Sequence, residues 1–223
     1  SLYKTMDKIM LGAMASQIDV GYYENAEKII GIPIAFIQSL GTVMLPKMSN
    51  LVANNKEGES RKYIYLSLLF AAFLSTSLSF GIMGVSKEFV PLFYGKGFDE
   101  CIELFLILSP STIFMALANV IRTQYLIPMH KDRIYIMSVF LGAGTNIIIN
   151  SLLIPIWGAS GAAYGTLVAE GGVCIYQMVK VRKMVSLRRP IFRSIPFLGA
   201  GMLMFIILYN IELNMASSIL NLV

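Results

Sequence analysis

Apolar residues in this chain gather in long runs, many near the ~20 residues a helix needs to cross a bilayer, each closed by a short polar, glycine- or proline-containing stretch. The runs predict helices over residues 2–21, 29–48, 63–85, 103–127, 134–155, 157–179 and 195–209, with a last run from Leu213 opening an eighth. The intervening stretches at residues 22–25, 54–58 and 128–132 are short, as connections between antiparallel neighbours are. The pattern predicts an all-α, polytopic transmembrane bundle of about seven spans plus a truncated eighth, with residues 1–223 as a single domain. Ser1 at the start and the short final run read as a piece of a longer protein.

Composition supports lipid as the solvent. The chain is 56% hydrophobic and 14% charged, against about 25% charged in a soluble domain. A net charge of +5 would suggest nucleic acid in a soluble protein, but here the charge is sorted by side. Twelve of the eighteen Lys and Arg, from Lys47 to Arg193, fall at one membrane face, and three, Lys28, Lys87 and Lys96, at the other. Basic loops stay inside, so the first span is expected to run from inside to outside. Residues 86–100 form the longest expected outer connection, where Phe89, Phe93, Tyr94 and Phe98 among Lys and Asp suit either the headgroup layer or an aromatic belt.

Several chemistries find no motif here. Cys101 and Cys174 share no metal or redox spacing, His130 is the only histidine, and neither a phosphate-binding glycine loop nor an H-E-x-x-H helix occurs. No catalytic residue, cofactor or metal is expected, and no nucleic-acid partner.

Polar residues inside spans are the candidates for function, because a charge at mid-membrane costs roughly 2.5–3.5 kcal/mol on insertion scales. In the first span Lys4, Asp7 and Lys8 stand at helical spacing on one stripe that Leu11, Ala15 and Asp19 continue. That stripe would line a wet cavity, with lysines for an anionic ligand; the alternative is snorkelling of Lys4 and an Asp7–Lys8 pair. Arg122, with Asn119 one turn before it, offers a second cationic point or another snorkelling side chain. Glu170 sits mid-span, where apolar surroundings favour its neutral form, as a proton carrier or as a protonated, hydrogen-bonded packing residue. The stripe Gly158, Gly161, Gly165, Ala169 and Gly172 reads as helix packing, and Asn146 and Asn150 read as polar glue between helices.

Three ordered stretches, residues 7–12 (DKIMLG), 20–26 (VGYYENA) and 43–49 (VMLPKMS), resemble the start of the second half of bacterial polysaccharide flippases of the Wzx or RfbX type, in the MATE-like MOP superfamily. The resemblance implies two pseudo-symmetric helical lobes around a central cavity, this chain being the C-terminal one. It further implies a cytoplasmic-membrane transporter, not an enzyme, that moves undecaprenyl-diphosphate-linked oligosaccharide units to the outer leaflet by alternating access. Lys4, Lys8, Arg122 and Asn119 would then contact substrate. Asp7, Asp19 and Glu170 would couple transport to H+ or Na+, and a polysaccharide polymerase would be a partner. The rivals are a MATE-like exporter of small cations, which needs a carboxylate-dominated cavity, and a polymerase or acyltransferase, which needs a larger outer loop.

Overall fold

The computed structural model describes the backbone from Leu2 to Leu220 and the side chains of residues 5–210, and all regular structure among these is helical. In order the helices are α1 (Leu2–Met14), α2 (Gln17–Ala53), α3 (Glu57–Phe93), α4 (Glu100–Leu108) and α5 (Ser111–Ile121), which runs on through a π-helical turn (Arg122–Leu126), then α6 (Asp132–Val181) and α7 (Arg188–Leu220). Five segments are long and apolar enough to cross a membrane: α2, α3, Glu100–Leu126, α6 and Arg188–Asn210. The chain is a multi-pass membrane protein.

Five such segments stand against seven expected spans for two local reasons, of which only the first removes a crossing. The first concerns where the opening helix stops. α1 is 13 residues long and ends before Ser16, not at residues 22–25. Ser16 is the N-cap of α2: its hydroxyl accepts from the Asp19 amide at 3.1 Å, and the Asp19 carboxylate accepts from the Ser16 amide at 3.2 Å. This reciprocal capping box satisfies two donors that a helix start otherwise leaves orphaned, so Tyr22–Tyr23–Glu24–Asn25 continues as helix rather than loop. Asp19 therefore leaves the α1 stripe.

The second reason is a fold-back. Residues 134–155 and 157–179 are two helical arms, together α6, joined by a sharp corner at Gly158, whose φ of 52° and ψ of −127° belong to a region that only glycine occupies without strain. The two arms then run side by side. Gln177 Nε2 donates to Ser138 Oγ at 2.9 Å, Gly161 faces the Leu153 backbone and Gly165 the Asn150 side chain. The glycine stripe is packing, as expected, and its partner is the other arm of the same hairpin. The Asp19 carboxylate closes the corner by accepting from the Ala159 amide at 3.3 Å.

The outer connection is shorter than residues 86–100, because α3 continues to Phe93 and only Tyr94–Asp99 leave the helix. Its aromatics clamp the start of α2: Tyr22 donates to the Gly97 carbonyl at 3.0 Å, Tyr94 to the Asn25 carbonyl at 2.9 Å, and Tyr22 meets Phe98 edge to face. Pro110 parts α4 from α5, whereas Pro33 and Pro46 lie inside α2. The eighth run from Leu213 lies outside the residues whose side chains are described.

One apolar cluster, with Leu11, Tyr23, Phe105 and Ile154, fills the half of the bundle near Gly158, and a second, with Met48, Ile64, Ile121 and Leu126, fills the half near the 54–56 turn. Large side chains such as Phe36, Phe140, Trp157 and Met202 point outward. In water they would be a liability; in lipid they are the expected surface. α7 is the least covered of the five spans and holds to α3 through Leu208 seated on Gly84 and Phe80 on Gly201.

Gly158→Ala should lower thermal stability by about 1–3 kcal/mol, read as a shift in the unfolding midpoint, since an added Cβ would also meet Asp19 Oδ1 at 2.5 Å. Single cysteines at positions 56 and 183 should react with a membrane-impermeant maleimide only from the cytoplasmic side, and a cysteine at 96 only from outside. External labelling at 183 would reverse the orientation.

Candidate functional site

Asp7 is fully buried and is the point at which α1, α2 and both arms of α6 meet. Its Oδ1 accepts from Asn146 Nδ2 at 2.9 Å and from Asn150 Nδ2 at 2.6 Å. Its Oδ2 accepts from the Tyr23 hydroxyl at 2.9 Å and the Thr166 hydroxyl at 2.8 Å. The two hydroxyls are themselves 2.9 Å apart. Asn150 Oδ1, which packs on Gly165, has no donor among the described residues.

Each partner is placed by local sequence. Asn146 and Asn150 are one turn apart on the first arm of α6, hence on one face. Thr166 projects from the second arm next to Gly165, whose missing side chain admits Asn150. Tyr23 reaches in from α2 because the helix begins early, at Ser16.

The other expected residues divide into separate places. Lys8 does not pair with Asp7; its Nζ lies 3.1 Å from Glu27 and 3.7 Å from Glu24 on α2, while Asp7 faces α6. The single hydrophilic stripe expected of the first helix is therefore split between two neighbours. Lys28 joins Glu24 at 3.6 Å. Asp19 caps α2 and the α6 corner, away from Asp7 in function and in partners. Lys4 lies outside the residues whose side chains are described.

Asn119, Arg122 and Glu170 come together as a second group. They line, with Gln38, Tyr135 and Gln177, a cavity of about 420 Å3 between α2, α5 and the arms of α6. Arg122 donates to Asn119 Oδ1 at 2.6 Å and lies 5.7 Å from the Tyr135 ring centroid. Asn119 Nδ2 and Gln177 Oε1 are buried without a partner, so this cavity carries unused donors and acceptors. Arg122 opens the π-helical turn, a distortion common at functional sites. Glu170 stands one turn from Thr166, about 6 Å along the axis at 1.5 Å per residue, so the two groups adjoin along one arm of α6.

Tyr23, Thr166, Asn146 and Asn150 were not singled out as ligands by sequence. Their signal was present only in part. The Asn pair is visible as polar residues a turn apart, whereas Tyr23 falls in a polar stretch that reads as a connection, and nothing local links Thr166 to Asp7, 159 residues away.

The family model described as lipid II flippase MurJ matches residues 8–221. The chain belongs to the MurJ family. That family lies in the MOP superfamily, so the superfamily suggested by the three motifs is the right one, and MurJ is the branch matched. The chain is 26% identical over 164 residues to a probable low-salt glycan biosynthesis flippase, Agl15, of Haloferax volcanii, covering 74% of this chain and 34% of that one. It is 25% identical over 193 residues to YabM, an uncharacterized membrane protein of Bacillus subtilis, covering 84% and 35%. A solved structure of lipid II flippase MurJ in an inward closed conformation superposes with a TM-score of 0.68 at 16% identity, over 91% of this chain and 48% of that one. This last likeness establishes the fold. The chain spans about a third of the length of the curated relatives it matches.

Thr166→Val should cost about 1–3 kcal/mol of stability, because it removes one donor from a buried carboxylate. Thr166→Ser, which keeps the hydroxyl, should restore most of the loss in thermal unfolding.

Proposed function

We propose that the intact protein is a lipid-linked oligosaccharide flippase of the bacterial cytoplasmic membrane, working by alternating access, with this chain supplying one of two lobes around a central cavity. The substrate read from the sequence motifs is an undecaprenyl-diphosphate-linked repeat unit. Relatives that are named as flippases of glycan biosynthesis support that class. Transport by this route needs no covalent step, and a polysaccharide polymerase beside it would consume the product.

The observation that carries the mechanism is the Asp7 cluster. Asp7 Oδ2, Tyr23 and Thr166 form a triangle of oxygens 2.8–2.9 Å apart, yet the two hydroxyls bring only two protons for three contacts. A proton on Asp7, or a small cation such as Na+ shared by the three oxygens, completes the set. Loading of this site would tie α1 to the α6 hairpin, and release would free α1 to move, which is how a cation gradient drives a change of access. Glu170, one turn along the same arm, extends the route toward the inner face.

Substrate contacts are assigned to Lys8, Asn119 and Arg122, with Lys4 assisting. Lys8 is held by Glu24 and Glu27, so a diphosphate must compete with those carboxylates; a lysine ammonium, a compact charge with three donors, suits phosphate oxygens once freed.

In proteoliposomes holding the intact protein, a fluorescent polyprenyl-diphosphate oligosaccharide should change leaflet faster under an imposed Na+ or H+ gradient. Asp7→Asn should abolish the gradient dependence, and Lys8→Ala should slow transport about tenfold or more, with Lys8→Arg retaining part. Gradient-driven transport that survives Asp7→Asn would remove Asp7 from coupling. Transport of small cations in place of the glycan lipid would replace the flippase reading by an exporter.

A further inference from the structure

At the inner end of the bundle, opposite the Gly158 corner, a cavity of about 210 Å3 lies between the start of α3, the 182–187 turn and the start of α7. Arg61, Lys62 and Arg189 line it, together with Tyr65 and Ser186, and no acidic side chain does. Arg61 is held by Glu57 at 3.1 Å, while Lys62 and Arg189 have no ion pair among the described residues. This cavity adjoins another of about 200 Å3, and the two share Leu68 and Pro190 as common wall. The second is an apolar groove between α3, α5, α6 and α7, lined by Leu68, Ala72, Leu117 and Cys174 and flanked by Ile195 and Leu198. It opens along α7, the least covered span.

We infer that this pair of cavities is a site for an anionic phospholipid of the inner leaflet, its phosphate on Lys62, Arg189 and Ser186 and one acyl chain in the groove toward Leu198. Charge complementarity and layout carry the inference together. A positive-inside bias alone requires lysines and arginines near the inner surface, but not a pocket, and not one continuous with an apolar channel at its membrane end. A free phosphate would use the first cavity and leave the second without purpose; a neutral lipid would leave the cations unmatched. Basic pockets between helices on the cytoplasmic side are the recurrent form of anionic-lipid recognition. Bound there, the lipid joins α3, α5, α6 and α7. The site is separate from the Asp7 cluster and the Arg122 cavity, so it stands or falls independently of the transport mechanism.

The test is native mass spectrometry of the intact protein titrated with phosphatidylglycerol or phosphatidylcholine of identical chains, alongside thermal unfolding in the two lipids. Phosphatidylglycerol should bind at least tenfold more tightly and raise the unfolding midpoint. The double variant Lys62→Gln, Arg189→Gln should erase the preference, and Lys62→Arg, Arg189→Lys should keep it. Ser194→Phe, placed to fill the groove without changing charge, should weaken phosphatidylglycerol binding as well. Equal binding of the two lipids, or an unchanged preference in the glutamine variant, would overturn the site. So would efficient competition by a polyprenyl diphosphate, which would make the occupant the substrate instead.

Discussion

A carboxylate buried in a membrane bundle dictates much of what surrounds it. Left alone, Asp7 would carry a desolvation cost of several kcal/mol, so the chain must bring donors to it from wherever they lie. It does so from α2 and from both arms of α6, with four side chains directed at two oxygens. Each charge-assisted bond returns roughly 1.5–3 kcal/mol, enough together to offset the burial. The geometry of the lobe follows from that requirement: α2 must start early enough to aim Tyr23, and α6 must fold back so that Asn146, Asn150 and Thr166 face the same point.

The corner at Gly158 and the capping box at Ser16 are therefore linked devices. Asp19 serves both, since one oxygen joins the cap of α2 and the other accepts from the first amide beyond the corner. A residue with the look of a cavity charge turns out to hold two helix ends in register. That placement keeps the Asp7 donors on two antiparallel arms only a glycine's width apart, and it explains why Gly161 and Gly165 are small.

Polar groups within the lobe are sorted into places with different demands. The Asp7 cluster directs four side-chain donors at one carboxylate. The cavity at Arg122 and Glu170 carries buried amide atoms without a partner among the described residues. Lys8, between Glu24 and Glu27, is neutralised at rest. The inner basic pocket alone combines unpaired cations with an adjoining apolar groove. Proximity along one arm of α6 joins the first two; the last sits apart, at the membrane face.

Sequence alone determined the solvent and the helical class, because these depend on sums over many residues: apolar run length and charged fraction. It also marked Asp7, Asn119, Arg122 and Glu170, since polar atoms inside apolar runs stand out without knowledge of their partners. It did not place the break between α1 and α2, where a Ser-x-x-Asp capping box outweighed the polar appearance of Tyr22–Asn25. It did divide residues 134–155 from 157–179, the two arms of α6, but did not show that the corner is made by the positive φ of Gly158. Which charges meet was decided only by the tertiary structure. Adjacent helical positions point about 100° apart, so Asp7 and Lys8 reach different neighbours, and the partners of Asp7 lie up to 159 residues away, beyond any local pattern.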